Sequence, residues 1–290
     1  MPLYFFLSGL FFKLYDGFGS FFVKKVNKLL IPFFFFYLLT SVVLPNILHS
    51  FFGYHFETVI GWPSLYAFVY PEVFPNIPIW FLWCLFISNI IFYLLVLASR
   101  RREKLLVLLA FLFSLAGYIL HHCEINLPAF TDSSLWFFPY FFFGYYTTQR
   151  GFLQSKLSWI TLCWALPALL VVSFVLSNME SDIMLAQMLR CWIASMAGIF
   201  FVLLLSRLLG RIPLVTYFGR YSIMILVSHL IVIQVTHKLF NGIIPDGLPI
   251  NLLTFLVTVL LSLLLIPLMK RYIPWFVAQK DLFPSTRATG

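Results

Sequence analysis

Three lysines, Lys24, Lys25 and Lys28, stand in the stretch KKVNKLLIPFF and form the first constellation with chemical potential. On a helix Lys24 and Lys28 share a face at i, i+4. A helix N-terminus already carries about half a positive charge, so cations placed there oppose the dipole and an anion is the natural third party. The plainer alternative is that the lysines orient the chain and meet anionic lipid headgroups. A second constellation is Ser222, His229 and Thr236, whose i, i+7, i+14 spacing a helix gathers on one face. His229 would lie about 10 Å along that helix from Ser222. A neutral imidazole there can hydrogen-bond a ligand, shuttle a proton or tie two helices together. The third is the run His121, His122, Cys123, Glu124. Neighbouring residues point in different directions, helical or extended, so a tight metal site would need further ligands from elsewhere, and no metal is expected.

Membrane helices must position these side chains. With 62% hydrophobic and 10% charged residues over 290 positions and a mean hydropathy of +0.97, the chain is excluded from the soluble globular class, where about a quarter of residues are charged. A window of about 19 residues finds a short apolar run from Pro2 to Phe12 and then full spans. These run from Asn27 to Phe51, Ile79 to Ser99, Leu105 to His121, Ser134 to Gln149, Leu157 to Ser177, Met188 to Leu209, Ser222 to Phe240 and Leu252 to Met269. The expected fold is an all-α polytopic bundle of about nine helical segments, a single membrane-embedded domain over residues 1–290 ending in a short tail over 270–290. Mid-span Pro32, Pro139, Pro167 and Pro267 are expected to kink their helices. The cysteines, Cys84, Cys123, Cys163 and Cys191, are widely spaced with no C-x-x-C pair, so no disulfide framework is expected.

Charge orients the bundle. Alternate connections hold 17 of the 19 basic residues, while the intervening ones carry His49, His55, Glu57, Glu72, His121, His122, Glu124, Glu180, Asp182 and Asp246. By the positive-inside rule the basic connections and the tail are cytoplasmic. Membrane orientation thus accounts for the net charge of +9, and no nucleic-acid partner is expected. Met1 then falls on the outer side or within the membrane. The opening run spans only about 16 Å of a ~30 Å hydrocarbon core, so a further helix is expected before Met1, and no cleavable signal peptide.

Several stretches, in order along the chain, resemble the acyltransferase-3 family of multi-pass bacterial membrane acyltransferases that O-acetylate sugars, including its fucose 4-O-acetylase-like branch. They are MPLYFFLSG at 1–9, KKVNKLLIPFF at 24–34, IWFLWCLF at 79–86, WFFPYFFFGYY at 136–146 and YFGRYSIMILVSH at 217–229. The resemblance implies a core of ten helices, of which this chain supplies the second to tenth, and a missing first helix bearing an Arg and a His thought to be catalytic.

What the resemblance implies is an enzyme of the bacterial inner membrane moving an acyl group, most simply acetyl, from acetyl-CoA or another acyl-CoA to a hydroxyl of a polysaccharide or lipid-linked sugar. Lys24, Lys25 and Lys28 would hold the donor's phosphates, with Arg220 and Ser222 beside them. His229 would line the acyl channel as the catalytic candidate of this chain. His121, His122, Trp80 and Ser8 would meet the acceptor. Orientation bias for Arg220, interfacial polarity for His121 and His122, and close packing for Ser8, Gly9 and Gly144 stay open beside these roles. So do two other functions: a transporter or flippase of a polar or lipid-linked solute, and an inactive family member. Membrane lipids are the remaining expected partner.

Overall fold

The computed structural model describes residues 1–44, 47, 77–100, 102–125, 127–151, 159–179, 183–240 and 247–284. Most of the connection between Phe52 and Pro78, the end of the first full span, and Arg101, Lys156, Glu180, Asp182, Asp246 and Arg287 lie outside these residues. Every regular element among the described residues is helical. The elements are α1 (Pro2–Leu10), α2 (Phe18–Lys25), α3 (Ile31–Leu38), α4 (Trp80–Ala98), α5 (Glu103–His122), α6 (Thr131–Trp136), α7 (Phe138–Gln149), α8 (Trp159–Asn178), α9 (Met184–Leu209), α10 (Pro213–Arg220), α11 (Ser222–Phe240) and α12 (Leu248–Tyr272). α4, α5, α9 and α12 are each long and apolar enough to cross a membrane, and α10 with α11 passes the same test as one bent span. The chain is a polytopic helical membrane protein.

Most expected spans reappear with small shifts at their ends. Two depart further. The span from Ser134 to Gln149 is two helices, α6 and α7, with Pro139 in the first turn of the second. Proline has no N–H to give the carbonyl four residues back, and its ring crowds that carbonyl, so it starts a helix more readily than it continues one. Pro32 differs, because the backbone is helical without a break from Phe18 through α2 and α3. Lys24, Lys25 and Lys28 therefore stand inside a helical run and not at the helix N-terminus expected from sequence. This proline lies at the start of α3, directly after a π-helical turn, Val26–Leu30, that joins α3 to α2. Pro167 and Pro267 lie inside α8 and α12.

The helices gather into two compact units. One holds Met1–Leu14, Ile87–Leu127 and Thr131–Ile212; the other holds Tyr15–Phe86, Pro128–Phe130 and Pro213–Gly290. In the first unit α1 and α7 touch backbone to backbone. A Cβ on Gly9 would collide with the carbonyl of Phe141, and one on Gly144 with the carbonyl of Phe6. The same pair is tied by Thr148, whose hydroxyl donates to the Leu10 carbonyl at 2.8 Å, and by Phe5 stacked on Phe137 at 4.9 Å. Asn89 of α4 donates to the hydroxyl of Ser8 at 3.2 Å. A second close approach joins α5 to α6, where a Cβ on Gly117 would run into the backbone of Leu135. In the second unit α11 packs along α12, and α10 meets α11 at 87°.

The glycine contacts carry a test. Gly144→Ala should destabilise the folded protein by about 1–3 kcal/mol, the usual cost of forcing atoms into a filled interface. Gly19→Ala, with open space around the new methyl, should be neutral or slightly stabilising. Unfolding of both variants in mixed micelles, followed by circular dichroism, reads the difference; equal midpoints would refute the packing assignment.

Candidate functional site

The lysine cluster is built around the π-helical turn in the second unit. Lys24 donates to Oδ2 of Asp281 at 2.7 Å, and the Lys28 ammonium pairs with Oδ1 of the same carboxylate at 3.1 Å. Two cations four residues apart therefore converge on one anion, as their shared face predicts. Lys28 also donates to the Ala278 carbonyl at 2.6 Å. Between the two lysines, fully buried Asn27 reads the backbone of the same segment. Its Oδ1 accepts from the N–H groups of Leu282 and Phe283 at 3.0 and 2.9 Å, and its Nδ2 donates to the Phe283 carbonyl at 2.8 Å. Lys25 is turned elsewhere, its ammonium 5.4 Å from the centre of the Phe21 ring. The segment itself is seated by buried Val277 and by Phe276, which stacks on Phe35 at 4.1 Å.

Arg220 and Ser222 flank the sharp bend between α10 and α11. Tyr221 sits buried at the bend, and its hydroxyl accepts from Lys270 at 3.2 Å. Arg220, the last residue of α10, is exposed and precedes Tyr221 in the chain. Ser222 is the first residue of α11 and half-buried. Further along α11, His229 is half-buried, with Nδ1 2.8 Å from the carbonyl of Ile225 one turn back. A carbonyl can only accept, so Nδ1 carries the proton, and in the neutral ring Nε2 holds the lone pair. Thr236, two turns beyond on the same face, is buried.

In the first unit the end of α5 carries an aromatic cluster. His121 stacks on Trp136 at 4.6 Å, His122 stacks on Tyr118 at 5.9 Å, and the Tyr118 and Trp136 rings lie 5.5 Å apart. The Tyr118 hydroxyl donates to Gln187 at 3.1 Å. Gly117 is what lets α6 come near enough to present Trp136. The two histidines, adjacent in sequence, take different rings, as divergent side chains must. Both are exposed, so the cluster presents polar ring edges beside apolar faces. Among the described residues no group of three or more His, Cys, Asp or Glu side chains is gathered as a metal site would need.

Trp80 and Ser8 have partners of their own. Trp80 opens α4 and stacks on Phe130 at 6.0 Å within the second unit. Ser8 belongs to the α1 contact with Asn89.

Among the described residues, two cavities open in the first unit. One, of about 510 Å³, is lined by Glu103, Tyr145, Tyr146, Gln149 and Arg150 together with Leu14, Val96 and Phe142. Hydrogen bonds to the Tyr146 hydroxyl and the Glu103 carboxylate hold the Arg150 guanidinium even more firmly protonated than usual. The other, of about 660 Å³, is an apolar groove between α7, α8 and α9, lined by Phe143, Leu169, Val172, Trp192, Met196 and Phe200.

Sequence reading missed Asn27, Asp281, Tyr118 and Gln187. Tyr118 was within reach of it, since it precedes His121 and His122 by three and four residues on one helix face. Asp281 was not, because its partners are more than 250 residues away.

A family model described as an acyltransferase domain matches residues 1–267. No curated protein and no solved structure matches the chain. The matched region takes in the lysine cluster, the aromatic cluster and His229, and ends inside α12, short of the segment that meets Asn27. A polytopic helical chain matched by that model from its first residue into its last helix belongs to the acyltransferase-3 family of membrane acyltransferases.

Proposed function

We propose that this protein moves an acyl group, most simply acetyl, from an acyl-CoA to a hydroxyl of a cell-surface or lipid-linked carbohydrate. The observation that carries this reading is the convergence of Lys24 and Lys28 on one carboxylate. A site that holds the two oxygens of a carboxylate between two ammonium groups suits a phosphate oxygen pair equally well, and coenzyme A is the phosphate-bearing acyl donor. The run of basic connections that includes these lysines faces the cytoplasm under the positive-inside rule, where acyl-CoA is found. The same rule puts the connection after His122 on the outer face, together with the Tyr118, His121 and Trp136 rings. Aromatic faces suit the C–H faces of a sugar, and the imidazole edges suit its hydroxyls. The apolar groove between α7, α8 and α9 fits an acyl or lipid tail.

The chemistry follows from the groups available. The acceptor oxygen attacks the thioester carbonyl, a C–O bond forms, the C–S bond breaks, and the hydroxyl proton passes through a base to the departing thiolate. His229 is our candidate for that base, because its Nδ1–H bond to the Ile225 carbonyl leaves Nε2 as the accepting nitrogen. Among the described residues, the bent α10–α11 span also suits a transporter, since such helices carry ion and substrate sites in transport proteins.

Incubating membranes that carry the protein with labelled acetyl-CoA separates the two. Transfer of label to carbohydrate supports the enzyme, and solute uptake with no acyl transfer would replace it with a transporter. In the enzyme, Lys24→Gln with Lys28→Gln should raise the KM for acetyl-CoA about tenfold or more, the loss of two charge-assisted contacts. Trp136→Ala should raise the acceptor KM about tenfold and leave the donor KM unchanged. His229→Ala should lower kcat by about two orders of magnitude or more; full turnover in that variant would remove His229 from the mechanism.

A further inference from the structure

The anion at the two lysines is supplied by the chain itself. Beyond α12 the backbone turns, with the Gln279 and Lys280 N–H groups donating to the Pro274 carbonyl at 2.9 and 3.1 Å. It then lays residues 278–283 across the π-helical turn. Six polar contacts join the two, through both oxygens of Asp281, the Ala278 carbonyl, and three backbone groups of Leu282 and Phe283. Four of the six use backbone groups, so the register is set by Asn27, while the charge is matched by Asp281 alone. The segment lies outside the matched acyltransferase domain. It is also held under strain at one point: Ala278 has φ of 60°, in the left-handed region that side-chain-bearing residues enter at a cost. That conformation accompanies the placing of its carbonyl on Lys28.

We propose that residues 278–283 form an internal ligand of the two-lysine site, which a phosphate-bearing ligand must displace, so that the tail sets the affinity for the donor. This rests on the donor reading above for the identity of that ligand. The Asp281 carboxylate stands where a phosphate's oxygens would stand, and both cannot be held at once by the same two ammonium groups. The Lys24, Lys28 and Asp281 side chains are each between a fifth and a third exposed, so the ion pairs are within reach of solvent and of a competing anion. A strap of this kind leaves the lysines neutralised when donor is scarce and opens as donor accumulates.

The test uses the full chain in nanodiscs of phosphatidylcholine. Deuterium uptake of the peptide containing Leu282 and Phe283, whose N–H groups Asn27 protects, reports strap opening without reference to turnover. Acetyl-CoA and, separately, inorganic pyrophosphate at matched ionic strength should each speed that uptake about tenfold. Asp281→Asn should speed it without ligand and tighten acetyl-CoA binding about five- to tenfold, the weight of two partly exposed ion pairs. Ala278→Gly, which relieves the backbone at φ 60°, should hold the strap more firmly and weaken acetyl-CoA binding about threefold. If pyrophosphate, or phosphatidylglycerol added to the nanodisc, opens the strap and acetyl-CoA does not, the strap stands and the coenzyme A donor falls. Should Lys24→Gln weaken acetyl-CoA binding while Asp281→Asn leaves it unchanged, the donor stands and the strap is overturned. Uptake indifferent to all three probes would overturn it as well.

Discussion

In lipid, burying an apolar side chain against another helix gains little over leaving it against acyl chains, so hydrophobicity cannot choose which helix faces meet. Much of this chain's surface is leucine, valine and phenylalanine left exposed, as that argument requires. Backbone contact makes the choice instead. At Gly9 with Gly144, and at Gly117 with Leu135, the absence of a Cβ lets two backbones come close enough for dispersion and for short polar ties such as Thr148 to Leu10. Moving either pair apart would displace what it positions: the α1–α7 core in one case, the Trp136 face in the other.

Polar groups cluster where the helices are irregular, and proline explains two of these places. The π-helical turn before Pro32 contains Asn27 and Lys28, and the break before Pro139 separates Trp136 from α7. A regular helix uses its own carbonyls and N–H groups, leaving little for a ligand; an interrupted one frees them and redirects the neighbouring side chains. The bend at Tyr221 adds a third such place, where Lys270 donates to the phenol.

Under the function proposed above, electrostatics would tie the lysine site to its donor. A family member that handles a highly anionic donor needs fixed cations, and fixed cations near lipid attract headgroups and lower the concentration of unoccupied sites. A carboxylate carried on the same chain would, as proposed, answer that competition at high effective concentration and still be displaceable. Asn27 supplies the specificity a charge pair lacks, because it accepts from two consecutive amides and donates to a carbonyl.

Membership of the acyltransferase-3 family, the all-helical polytopic fold and the face shared by Lys24 and Lys28 were legible in the sequence. Apolar length, charge alternation and a 3.6-residue period are local properties that survive without coordinates. The boundaries of α4, α5, α8 and α11 followed from the same signals to within about two residues. The division of the span at Pro139 needed the structure, since a proline within an apolar run reads equally as a kink or as a start. So did the separation of Lys25 from its two neighbours, and the stacking of His121 on Trp136. What only the tertiary structure decided is the partner of the lysines. Asp281 is one acidic residue in a basic tail, more than 250 positions from Lys24. Sequence periodicity reports which residues share a face, and says nothing of which distant segment folds back to meet it.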